Sequence, residues 1–200
     1  IAAPPIEEGV VVLDEAGWIR EIGRRADYDP SELEVYAGAL APGFVNAHCH
    51  LELSHMKGLV DTGTGLLPFI ERVVKFRDFP EEVIQEAIAA ADREMYDNGI
   101  VAVGDISNKA DTVAQKARSP LRYYTFVEMF DFLRDERAAD TFAGYRKVYE
   151  AQSDEGGNRK SCVPHAPYTV SKTLFQLINR QNGGADLTVS IHNQETPHEN

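Results

Sequence analysis

Apolar positions along the chain fall into two regimes. Residues 9–23, GVVVLDEAGWIREIG, read as two short strands around a tight turn at Glu15-Ala16-Gly17, and residues 31–40 suggest a further extended piece. From Ala39 onward short apolar runs alternate with longer stretches of helical period. Strands are expected at 43–48, 100–105, 121–128, 161–163 and 187–191. Helices are expected at 66–77, at 81–98 (begun by Pro80 and stopped by Gly99), and at 111–118, 136–152 and 171–182, with Ser171 as an N-cap.

Short, mostly apolar strands separated by helices are the signature of a parallel sheet built from βα units. The expected fold class is α/β. Residues 1–40 are a β-rich opening, and 41–200 hold about five βα units, as at the start of a (β/α)8 barrel. A doubly wound sheet would begin the same way. A complete barrel takes about 250 residues, so roughly three βα units are expected to lie outside this sequence.

Composition narrows the function classes. Hydrophobic residues make up 43% and charged residues 26%, which fits a globular domain. Twenty basic against thirty-two acidic residues give a net charge of −12, which argues against nucleic-acid binding and against docking on an anionic membrane. No apolar run approaches the ~18 residues of a membrane span. The opening IAAPPIEEG has neither the basic nor the apolar region of a signal peptide. Two cysteines, Cys49 and Cys162, are too few for a disulfide framework and point to a reducing, cytoplasmic setting.

The polar residues with chemical potential gather where expected strands end: His48 and His50, Asp105, Glu128, His165 and His192. In parallel α/β folds the C-terminal strand ends are where active sites are built. In His48-Cys49-His50 the two imidazoles share one face of a strand and can hold one divalent ion, while Cys49 turns away to pack. Two surface histidines would give the same pattern. Glu52 can line the same cavity or stand as a surface carboxylate. In Ile191-His192-Asn193-Gln194-Glu195 a third imidazole is followed by a carboxylate placed to shuttle a proton between activated water and a leaving group. His165, held between Pro164 and Pro167, can bind metal or substrate or satisfy the loop itself. Asp105 and Glu128 point to the same strand ends; Glu128 can contact substrate, and either can satisfy backbone or loop groups.

Taken together, APGFVNAHCH, PHAPYTVS and HNQET resemble the amidohydrolase superfamily, in the branch of the chlorohydrolases and the purine-type deaminases. The matching motifs span His48 to Thr196, and the β-rich opening resembles that family's small β-sandwich. The stretch His50-Leu51-Glu52-Leu53-Ser54 is most similar to aminodeoxyfutalosine deaminases. The resemblance implies His48, His50 and His192 as metal ligands and Glu195 as the catalytic acid/base. It implies His165 as a substrate contact, beside which Glu52 and Glu128 stand as further candidates.

The cofactor implied is one divalent ion, zinc or iron, and the partner a small N-heterocyclic molecule, with a homo-oligomer left open. The reaction implied is hydrolytic deamination of an aminated purine-like ring. Chlorohydrolase or cyclic-amide hydrolase activity is the sister reading, and a non-catalytic metal-binding piece that needs a partner chain is the reading of another class. Family members are roughly twice this length and carry a further histidine and a metal-binding aspartate, so a longer enzyme is expected.

Overall fold

A computed structural model describes residues 4–183 and 187–199, with the backbone only at His198. The chain divides into two compact units, Ile1–Pro42 and Gly43–Asn200.

In the first unit β1 (Gly9–Leu13) pairs antiparallel with β2 (Ile19–Arg24). Asp14 makes the turn. Its Oδ1 accepts from the backbone N–H of Ala16 and of Trp18, its carbonyl accepts from Gly17 N–H, and Gly17 takes the φ of 82° that favours glycine. The extended piece expected at 31–40 does not join this ribbon as a strand. Pro30–Glu32 instead winds one 3-10 turn, started by Pro30 and capped by the Asp29 carboxylate on Ser31 N–H.

The second unit is a four-stranded parallel sheet in the order β3 (Phe44–Cys49), β4 (Ile100–Ser107), β5 (Arg122–Met129), β6 (Arg159–Pro164). The connections carry α1 (Leu66–Phe76) and α2 (Glu81–Asp97), then α3 (Val113–Arg118) and α4 (Ala138–Ala151), and α5 (Lys172–Asn182) follows β6. Helix α2 stops where Gly99 adopts a φ of 78°, and Ser171 caps α5 by accepting from Leu174 N–H.

Alternation along the strands sorts the sheet into two faces. Val103 and Tyr123 pack with Leu51, Ile84 and Ile88 beneath α2, and Val127, Met129 and Cys162 pack with Ala138, Leu174 and Ile178 beneath α4 and α5. On the other face Ile106, Phe126 and Val163 form a smaller cluster with Tyr124. Cys49 packs beside the α2 layer, as its alternation with His48 and His50 requires. Gly104 lets β3 and β4 approach, because a Cβ there would lie 2.5 Å from the Ala47 carbonyl oxygen.

Two expectations change. The stretch 187–191 is not a strand: Ser161 Oγ and Tyr124 Oη donate to the Thr188 carbonyl, and Thr188 N–H donates to Tyr124 Oη. Side-chain hydroxyls thus occupy backbone groups that a ladder would use. Asp105 does not end its strand. β4 continues to Ser107, and Asp105 turns away from the strand ends toward α3, where Lys116 Nζ lies 2.6 Å from its Oδ2.

Candidate active site

Three backbone segments bring the histidines together. β3 delivers His48 and, just beyond its end, His50. The end of β6 delivers His165, whose N–H donates to the Met129 carbonyl. The segment after 187 is tied to it, since His192 N–H donates to the His165 carbonyl at 2.8 Å. Ring centroids of His48 and His50 are 5.2 Å apart, and that of His192 lies 5.0 Å from His48 and 5.5 Å from His50. One ring nitrogen from each of these three falls within 4.8 Å of the other two. A second set, Glu128, His165 and His192, meets the same criterion.

Burial holds His48 below the usual histidine range and pushes His50 down to about 4, so both offer neutral imidazoles at pH 7. His192 moves the other way, because Glu128 Oε1 accepts from its Nδ1 at 3.0 Å. Burial alone would raise Glu128, but the hydrogen bond from His192, with His165, Asn108 and His50 nearby, brings it below the ordinary carboxylate range. Three imidazole side chains fit a divalent ion, and three protein ligands leave one position of tetrahedral zinc open for water or substrate.

Around this centre the remaining candidates divide. Glu195 is exposed, and its Oε2 accepts from Tyr168 Oη at 3.3 Å. His165 has Nδ1 2.8 Å from Thr169 Oγ1, which leaves Nε2 for another partner. Glu52 stands outside both histidine sets. It is buried, and its Oε2 accepts from the backbone N–H groups of Asn108 and Lys109, each at 2.9 Å, while Arg77 lies 3.6 Å from Oε1. Burial pushes its carboxyl up to about 7 against those two donors.

Sequence reasoning missed Asn108, whose Nδ2 donates to both the carbonyl oxygen and Oε2 of Glu128. It also missed Asp131, whose carboxylate accepts from Ser171 N–H and Oγ, while the N–H groups of Asp131 and Phe132 both donate to the Thr169 carbonyl. Both residues lie within two positions of a strand's C-terminal end, the one signal that could have flagged them. Phe132 and Leu133 follow with φ of 54° and 62°, conformations that side-chain-bearing residues seldom adopt. Beside this loop a cavity of about 430 Å³ is lined by Asn108, Phe130, Phe132, Arg134, Arg137 and Tyr145 among others. The Phe130 ring sits 5.6 Å from that of His165, which brings the cavity beside the histidine cluster.

The sequence pattern of the amidohydrolase family matches residues 39–200. The chain belongs to that family. An aminodeoxyfutalosine deaminase of Deinococcus radiodurans is 32% identical over 96% of this chain and 46% of its own length. A 5'-deoxyadenosine deaminase of Methanopyrus kandleri is 25% identical over 97% of the chain and 47% of its own. The crystal structure of Helicobacter pylori aminofutalosine deaminase in complex with methylthio-coformycin superimposes with a TM-score of 0.75 at 25% identity, covering 96% of this chain and 47% of that one. The chain therefore spans about half the length of the curated relatives it matches. In this amidohydrolase the parallel sheet β3–β6 is the opening part of the family's (β/α)8 barrel; His48, His50 and His165 stand at its C-terminal strand ends, and His192 is tied beside them through the His165 carbonyl.

Proposed function

We propose that the protein is a metal-dependent hydrolytic deaminase of an aminated purine-like ring or nucleoside, with His48, His50 and His192 as ligands of one zinc ion. The observation that carries this reading is the meeting of three ring nitrogens within 4.8 Å, with Glu195 three residues beyond the third. Bound there, zinc would supply a water acidic enough to act as a nucleophile near pH 7.

The chain's own residues account for the rest. Glu195 takes the proton of the attacking water and returns it to the amino group, which leaves as ammonia, while Tyr168 aims the carboxylate through its hydroxyl. His165, steadied through Nδ1 by Thr169, turns Nε2 to the substrate ring. The cavity beside Phe130 takes the part of the substrate that does not react. Ammonia needs a proton to depart and halide does not, so a carboxylate at Glu195 favours deamination over dehalogenation. The reading is tested by ammonia release from a panel of aminopurines and adenine nucleosides. Silence across that panel, with halide released from a chlorinated triazine or a cyclic amide opened instead, would replace it with the sister hydrolase.

A further inference from the structure

The buried carboxylate of Glu128 has both oxygens engaged by the protein itself. Oε1 accepts from His192 Nδ1 at 3.0 Å, and Oε2 accepts from Asn108 Nδ2 at 3.0 Å. Asn108 is in turn fixed by Glu52, which holds its backbone N–H, and by the Glu128 carbonyl, to which it also donates. A chain of hydrogen bonds thus runs from Glu52 through Asn108 and Glu128 to His192, crossing the segments that follow β3 and β4, the end of β5, and the segment after 187. A carboxylate only accepts, so in the neutral ring the bond to Glu128 puts the His192 proton on Nδ1 and leaves the lone pair on Nε2. His192 has no strand beneath it among the described residues, unlike His48 in β3. Its backbone N–H donates to the His165 carbonyl, and its ring is oriented by Glu128.

The geometry points to Glu128 as a positioning residue for the third imidazole, one that selects the tautomer and ring orientation able to complete a metal site with His48 and His50, and not as a contact to substrate. This rests on the metal-site reading above and adds what makes His192 competent. Carboxylates that hold the second nitrogen of a ligating histidine typically change metal affinity 10–100-fold when removed.

The test begins with the metal-free protein. Its six histidines give few ring signals in a long-range proton–nitrogen correlation spectrum, and a His192→Asn variant assigns the relevant set. The expected result, read at alkaline pH where the ring is neutral, is protonated Nδ1 and unprotonated Nε2 at His192. In Glu128→Ala the expected result is a shift toward the Nε2–H form, with zinc affinity, read by competition with a chelating dye, falling about 10–100-fold. Asn108→Ala, which keeps the carboxylate, should retain the tautomer and lose less affinity than Glu128→Ala. The proposal is overturned by a neutral His192 ring that carries its proton on Nε2 in the unsubstituted protein, a result that needs no variant to fold. It is equally overturned if folded Glu128→Ala keeps the Nδ1–H tautomer, even with zinc lost, since Glu128 would then be a ligand itself, or if its zinc affinity stays within twofold. None of these readouts depends on deamination. Failure of the ammonia assay with the tautomer as expected would remove the proposed reaction and leave the role of Glu128 standing.

Discussion

Lys116 Nζ lies 2.6 Å from Asp105 Oδ2, and both side chains are almost wholly closed off from solvent. Around the pair, Ser107 Oγ donates to Asp105 Oδ2 and Lys116 Nζ donates to Thr125 Oγ1, while Asp105 Oδ1 accepts from Leu51 N–H, the residue directly after His50. A buried ion pair is weak evidence for stability, but removing one partner leaves an uncompensated charge in the interior. Lys116→Met should therefore destabilise the protein by about 3–5 kcal/mol. Joining it with Asp105→Asn should recover part of that loss. Urea unfolding of the two single variants and the double variant checks it, and simple additivity would remove the argument.

Glu52 gives a pH signature. Its carboxyl is pushed up to about 7 from an ordinary 4.5, so the folded protein holds a proton there that the unfolded chain has released. The stability this contributes is whole below about pH 4.5 and is lost as pH rises through 7, by up to about 3 kcal/mol at full shift. Glu52→Gln, neutral at every pH, should show a smaller fall in melting temperature between pH 5 and 8 than the unsubstituted protein. Parallel curves would mean that the two backbone donors and Arg77 already stabilise the charge.

Glu195 separates chemistry from metal binding. Glu195→Gln keeps size and polarity and removes the proton carrier, so ammonia release should fall roughly 10²–10⁴-fold. Zinc content should not change. A variant that loses zinc along with activity would make Glu195 a ligand and reverse its assignment.

His48 tests the site itself. His48→Ala should lower bound zinc well below one equivalent, and His55→Ala should not, because His55 lies beside the Phe76 carbonyl and the Phe79 ring, outside both histidine sets. Chelation should abolish ammonia release and added zinc should restore it. Metal analysis of dialysed samples reads both.

The sequence made the helices and the first four barrel strands legible because each carries its own period and its own stop, such as Pro80 before α2 and Gly99 after it. His48 and His50 were legible for the same reason, since alternation along one strand fixes which way both rings point. What failed to show was set by partners distant in sequence. Residues 187–191 have a strand's composition, yet Ser161 and Tyr124 take the Thr188 backbone groups. Asp105 has the look of a strand-end carboxylate, yet it shares the helix-covered face of Val103 and pairs there with Lys116, eleven residues on. Asn108 acts on the carbonyl and carboxylate of Glu128 in β5, and Asp131 on the N–H and hydroxyl of Ser171, partners that no local pattern encodes.

The stitching of Asp131 and Phe132 to Thr169 and Ser171 bears on how such a barrel is diversified. Loops at strand ends are commonly treated as separately exchangeable parts, one specificity element per βα unit. Here the loop after β5 borrows its hydrogen bonds from the loop after β6, and the uncommon backbone at Phe132 and Leu133 begins at those bonds. The two loops form one transplantable cassette: a graft that carries residues 130–134 without 165–171 would bring the αL backbone and leave its fastening behind.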